Sequence, residues 1–284
     1  MTTDWTSTAP GLEPNVLNRR GSPLHYWVGG PQGGSAIAFL HGATMDHRMF
    51  NAQIPAVLGD HRVLAWDARG HGRSRPIGTD DLTIEDYVDD LVAVLDDAGI
   101  DQVLLVGQSM GAYIAQHTIL RHPERVAGLV VIGSTPIALP LSWADHLAVR
   151  LVAPTFRIWP LAHLRRTIAK TTAVRADVQA YAVDAVSMIS HRDLARIFTA
   201  VATAVRREGF PLRIDVPFLL THGEHDGTGN IRKDAPGWAA SDERIDYVVI
   251  PDAGHNANQD NSSTFNDELL RYLGGAADPL RPSP

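Results

Sequence analysis

No cysteine occurs among the 284 residues, which excludes disulfides, thiolate nucleophiles and cysteine metal sites. Oxygen and imidazole chemistry remain. No apolar stretch approaches the ~20 residues that a membrane helix needs. Met1 to Pro10 lacks a basic segment followed by an apolar one, so no signal peptide and no membrane partner are expected, and the chain reads as cytoplasmic. A basic stripe is missing too. The formal net charge is −7, which argues against a nucleic-acid partner. Gly70-His71-Gly72 lacks a third glycine, Gly29-Gly30 has no helix behind it, and no Gly-Lys-Ser/Thr occurs, so no organic cofactor is expected. There is no internal repeat.

What is present is a globular composition, 44% apolar and 20% charged, long enough for one large domain or a domain carrying an insertion. Charge is unevenly spread: Leu141 to Phe210 carries a net +5 and the rest of the chain −12. That segment is a different compositional unit.

The chain is organised around Val103 to Val106, a β-branched apolar run that stops at Gly107-Gln108-Ser109-Met110-Gly111 and resumes as a helix face. Ser109 therefore sits on a strand-to-helix turn. Gly107 and Gly111 remove Cβ atoms where the backbone bends and the helix approaches the strand, raising the hydroxyl at the strand end. The helix beginning at Met110 aims free N–H groups and its positive dipole end at the space above Ser109, a placement suited to acyl chemistry.

Upstream, residues to about Gly21 read as a loosely held arm, Leu24–Val28 as a first strand, and Ala36–Leu40 as a strand buried on both faces. Met49–Leu58 fits a short helix despite Pro55, and Arg62–Trp66 another strand. Thr83 can N-cap a helix with Tyr87, Leu91, Val94, Leu95 and Ala98 on one face, ended by Gly99. Val126–Ile132 is a further strand. This alternation calls for a doubly wound parallel sheet. After Ser134 it breaks into helical patterns, and it resumes with strands at Val216–Thr221 and Tyr247–Ile250 and helices at about Ile231–Ala240 and Phe265–Leu273. The expected organisation is a core over 1–134, a helical lid insertion over 135–212, the second part of the core over 213–274, and a flexible tail over 275–284.

A neutral serine needs an imidazole to accept its proton and an acid to hold that imidazole in the right tautomer. The last apolar strand runs into Pro251-Asp252-Ala253-Gly254-His255, making His255 the expected base. One strand earlier, Phe218-Leu219-Leu220 runs into the acidic loop Thr221-His222-Gly223-Glu224-His225-Asp226-Gly227. Asp226 is the expected orienting carboxylate and Glu224 its rival.

In Leu40-His41-Gly42, Asp67-Ala68-Arg69-Gly70-His71-Gly72-Arg73-Ser74, Gly107-Gln108-Ser109-Met110-Gly111, His222 to Asp226 and Ala253-Gly254-His255, the chain resembles the α/β-hydrolase superfamily. The likeness is to its lid-bearing subgroup of small serine esterases, lactonases and related enzymes. It runs from about Leu24 to Leu273, in the chain order Ser, Asp, His. It implies an α/β-hydrolase fold, a mostly parallel twisted sheet flanked by helices with an inserted helical lid. By the same resemblance, Asp226 takes the acid position, and the backbone N–H groups of Met110 and Ala43 form the oxyanion hole. Gln108 stands where many relatives have histidine. The serine argues against haloalkane dehalogenase or epoxide hydrolase activity, which by resemblance goes with an aspartate at the elbow.

The expected substrate is therefore a small ester or lactone. The same triad could instead serve C–C bond hydrolysis, a lyase step or perhydrolysis, or remain in a hormone-receptor-like binder with slow turnover. Trp143, Phe156, Trp159, Tyr181 and Met188 are candidate walls of an apolar pocket, although ordinary packing explains most such residues singly. His41 is a candidate beside the substrate and reads as a brace for the oxyanion loop. His222, His225 and Asp226 share a loop without a regular ligand face, so no metal is expected. Oligomeric state is open between monomer and homodimer.

Overall fold

The computed structural model describes residues 3–79, 81–138, 159–205 and 213–275, with residues 147 and 155. Among these, eight strands form one sheet: β1 (Leu12–Arg19), β2 (Ser22–Gly29), β3 (Ala36–Leu40), β4 (Arg62–Trp66), β5 (Val103–Gln108), β6 (Val126–Ile132), β7 (Phe218–Gly223) and β8 (Ile245–Ile250). Their spatial order is β1-β2-β4-β3-β5-β6-β7-β8. The β1–β2 and β2–β4 pairs are antiparallel and the rest parallel. The chain turns one way from β3 to β4 and the other way to β5, a switch point of the kind at whose strand ends open α/β sheets bind ligands.

The alternation of side chains explains why the central strands read as unbroken apolar runs. In β3, Ala36, Ala38 and Leu40 join one apolar cluster while Ile37 and Phe39 join a second; β5 divides likewise, with Val103 and Leu105 against Leu104 and Val106. Both sheet faces are covered, and each buried Leu, Ile or Phe contributes ~1.5–3 kcal/mol.

The helices are α1 (Ile54–Val57), α2 (Ile84–Asp97), α3 (Met110–Arg121), α4 (Leu161–Thr172), α5 (Ala176–Ser187), α6 (His191–Thr203), α7 (Ile231–Ala240), α8 (Ala257–Asp260) and α9 (Ser262–Leu273). Thr83 caps α2 reciprocally: its hydroxyl accepts from Asp86 N–H, and its own N–H donates to the Asp86 carboxylate. Such a cap stabilises by ~1 kcal/mol. Helices α4 to α6 lie in sequence between β6 and β7. No helix among the described residues is long and apolar enough to cross a membrane.

Two local expectations are corrected. The supposed loose arm contains β1, paired with β2 along all eight residues. Most of its side chains are exposed, on both faces, so this edge strand gave too little apolar alternation to be recognised. The single helix over Met49–Leu58 is instead a 3-10 turn, His47–Phe50, capped by Asp46, followed by the short α1. Pro55 falls in the first turn of α1, where its missing N–H costs nothing.

Arg69 and Asp90 are each 1% exposed. They meet in a fork at 2.7 Å on both arms, and Arg69 also donates to the carbonyls of Ile77 and Arg19. This brace ties the loop after β4 to α2. Arg69→Ala would leave Asp90 with Arg19 as its one cationic partner among the described residues, and the variant is expected to lose about 3–5 kcal/mol of unfolding free energy in urea titration.

Candidate active site

Ser109 lies between β5 and α3 with φ 51° and ψ −111°, a left-handed conformation that non-glycine residues rarely adopt. Its N–H donates to Ile132 O at 2.9 Å, tying the turn to the end of β6. The flanking glycines are steric necessities. A Cβ on Gly107 would lie 2.6 Å from Ala112 N, and one on Gly111 2.0 Å from Leu40 O. Helix α3 thus starts in direct contact with the end of β3. Ala43 follows β3, and neither its N–H nor that of Met110 is hydrogen-bonded among the described residues. Ser109 and Ala43 are partly exposed, whereas Met110 is buried.

His255 and Asp226 come from the loops after β8 and β7 and are 5% and 2% exposed. His255 Nδ1 lies 2.9 Å from Asp226 Oδ2. The other carboxylate oxygen, Oδ1, accepts from Thr228 N–H at 2.9 Å. Burial pushes the Asp226 carboxyl up, but the attraction and hydrogen bond of His255 and the Thr228 contacts outweigh it and hold the group below the ordinary aspartate range. An ionised Asp226 can only accept. His255 therefore carries its proton on Nδ1, leaving the Nε2 lone pair free to take one.

One residue that sequence reasoning passed over and one that it noted only as a departure assemble these loops. Gly133 ends β6 with φ 57°, and a Cβ there would sit 3.1 Å from both Asp226 Oδ2 and His255 Nδ1. Its missing side chain makes room for the pair; the only signal was a glycine closing an apolar strand. Gln108, noted as a departure at the elbow, donates from Nε2 to His255 O at 3.1 Å. The residue beside Ser109 thereby grips the backbone of His255.

The rival acid is placed elsewhere. Glu224 is exposed and its carboxylate accepts from Asp252 N–H. His41 is fully buried with both ring nitrogens engaged: Nε2 accepts from Ala68 N–H at 3.0 Å, so Nδ1 carries the proton toward Gly42 O at 2.8 Å. It braces the loop and has no nitrogen left for a substrate. Burial first, then the proximity of His41, lowers His71 to about 3, so this pair stays neutral.

The residues expected as pocket walls are placed as follows. Trp143 and Phe156 lie outside the described residues. Trp159 is half-buried and packs against the apolar cluster that contains α2. Met188 lines a cavity of about 170 Å³ with Asp46, His47, Arg48 and Asp67, whose lining does not include Ser109, Asp226 or His255. Tyr181 is buried with its hydroxyl on Asp46 rather than lining open space. Apolar residues at helical spacing cannot announce which of them face a cavity.

The residues weighed for a metal diverge. His222 Nδ1 faces Gly223 O and its Nε2 faces Tyr247 OH, both at 2.8 Å, while His225 is exposed and Asp226 holds His255. Asp46, His47 and Asp67 form a buried group of ligand-type atoms. There Arg48 already holds the Asp46 carboxylate at 2.7 Å, and His47 and Arg73 N–H occupy Asp67.

The family model described as alpha/beta hydrolase fold matches residues 36–262. The chain is 32% identical to a bifunctional esterase/perhydrolase of Acinetobacter calcoaceticus, over 91% of this chain and 98% of that one. With epoxide hydrolase B of Mycobacterium tuberculosis it shares 39% identity, over 43% of this chain and 35% of that protein. The chain spans less than half the length of this and similar partial matches. Among solved structures, a thermophilic esterase from Thermogutta terrifontis superposes with a TM-score of 0.77 at 22% identity, covering 92% of this chain and 98% of that one. An enol-lactonase from Burkholderia xenovorans LB400 gives 0.76 at 22%, covering 92% and 100%. At 22% identity these two likenesses show a shared fold. On a sheet with its switch point at β3, a strained serine at the end of β5 and a match over most of its length, the chain belongs to the alpha/beta hydrolase fold family.

Proposed function

We propose that the protein is a serine hydrolase that cleaves a carboxylic ester or lactone of a small, largely apolar substrate through an acyl-enzyme on Ser109. The observation that carries this reading is the buried 2.9 Å contact between His255 Nδ1 and Asp226 Oδ2 on loops adjoining the strained elbow. In this mechanism Ser109 Oγ attacks the carbonyl carbon and its proton passes to His255 Nε2, the resulting imidazolium being balanced by Asp226. The oxyanion is received by the N–H groups of Ala43 and Met110, the latter at the positive end of α3. The C–O bond breaks as His255 returns the proton to the leaving alkoxide, and water, deprotonated by the same imidazole, then releases the acid.

Serine chemistry also argues against epoxide opening. A carboxylate nucleophile would leave an ester that water can cleave, whereas a serine oxygen would leave an unactivated ether. Perhydrolysis is the second reading, favoured by the name of the Acinetobacter calcoaceticus relative. It shares the acyl-enzyme and differs only in that hydrogen peroxide replaces water. Helices α4 to α6 are read as a lid, a role supported by the bond from Asn256 N–H to Thr172 O at 2.7 Å, which fastens the α4–α5 turn to the residue after His255.

The test is labelling with a fluorophosphonate, followed by a panel of p-nitrophenyl esters and lactones with and without peroxide. Mass analysis should find the phosphonyl group on Ser109, with rapid multiple turnover of esters. Label on another residue, or release of a single equivalent of product, would overturn the assignment.

A further inference from the structure

Helix α5 grips both halves of the site described above. At its start, the Asp260 carboxylate accepts from Val174 N–H at 2.9 Å and Arg175 N–H at 3.0 Å. The same carboxylate accepts from Gly254 N–H at 2.9 Å, immediately before His255. Asp260 is 5% exposed, so these bonds are shielded from water. Six residues beyond Arg175, about 9 Å along the axis, the Tyr181 hydroxyl accepts from Asp46 N–H at 3.1 Å and faces Asp46 O at 3.2 Å as a donor. Asp46 directly follows the turn that contains Ala43, which Met45 N–H closes by donating to Gly42 O at 3.1 Å. An ion pair between Arg48 and Asp184 at 2.9 Å fastens α5 to the same loop a second time.

We infer that α5 is a strut that sets the separation between the His255 loop and the Ala43 loop, with Tyr181 and Asp260 as positioning residues; this rests on the reading of Ser109, His255 and Ala43 given above. Neither residue touches the reacting atoms. Each acts through the backbone it holds: Asp260 through Gly254, and Tyr181 through Asp46. A base and an oxyanion donor act on opposite sides of one carbonyl, so their spacing matters most in the transition state, where a misplacement of ~1 Å costs on the order of 100-fold. Substrate binding before reaction depends on it far less. The strut also makes the helical insertion part of the machinery, beyond any role as a wall.

The experiment compares the parent with Tyr181→Phe and Asp260→Asn on esters of increasing acyl length, with kcat counted per fluorophosphonate-titratable site so that any unfolded fraction drops out. Phenylalanine removes only the hydroxyl. Asparagine keeps the shape but turns one acceptor oxygen into a donor facing an N–H. Each variant is expected to lower kcat about tenfold or more on every ester, with KM within about twofold and the order of preference unchanged. Parent-like kcat per site in both variants, with only the melting temperature reduced, would overturn the strut. So would KM changes that reorder the esters, which would make Tyr181 a pocket wall. A parent that neither labels nor turns over would overturn the reading of the site itself, and the strut with it.

Discussion

Ser109→Ala is expected to abolish fluorophosphonate labelling and to lower kcat on esters by about 10⁴- to 10⁶-fold, some 5–8 kcal/mol of barrier. The hydroxyl is the only group removed, and the partly exposed serine contributes little to packing. The circular dichroism spectrum and cooperative melting should therefore survive. Residual catalysis above water is anticipated, because the amides of Ala43 and Met110 would still polarise a bound carbonyl. Substantial ester turnover in a purified, folded alanine variant would remove Ser109 from the mechanism.

Asp226→Asn is the more discriminating change. Thr228 N–H must keep an acceptor, so the asparagine oxygen is held at the Oδ1 position and its NH₂ faces His255 Nδ1. Two donors cannot face each other, so the imidazole is driven into the tautomer with its proton on Nε2, where it can no longer accept from Ser109. The expected loss in kcat is on the order of 10⁴-fold, about 5.5 kcal/mol. Glu224→Gln, on an exposed side chain bonded to Asp252 N–H, should change kcat by less than about twofold. The two variants are measured under identical conditions. A crippling effect of Glu224→Gln beside a mild effect of Asp226→Asn would move the orienting role to Glu224.

Much of this architecture is legible in one sequence because strand ends carry it. The runs Ala36–Leu40, Val103–Val106 and Val126–Ile132 are apolar on both faces, and only a covered parallel sheet demands that. The serine and acid loops follow runs of this kind and the histidine loop follows the apolar but half-buried Tyr247–Ile250, so the candidates could be named before any coordinates. What was illegible is the set of partnerships that cross the molecule. The 5% exposure of Asp260 and its bonds to residues 85 and 86 positions away are invisible locally. Tyr181 sits at helical spacing among apolar neighbours, and nothing in that pattern separates a pocket wall from a hydroxyl aimed at Asp46. Gln108 read as a harmless departure because its partner, His255 O, lies 147 residues on. Strand β1 was missed because both faces of this edge strand are mostly exposed to water.

The backbone of Ser109, at φ 51° and ψ −111°, sets chemistry against heat resistance. Holding a side-chain-bearing residue there costs on the order of 1–3 kcal/mol, a sizeable part of the ~5–15 kcal/mol that holds an ordinary domain folded. Glycine would adopt the same angles with little strain. A population of variants screened only for survival at high temperature would therefore drift toward glycine at position 109, and toward a more durable protein without the proposed nucleophile. On the proposed mechanism, keeping serine there requires selection for its reaction.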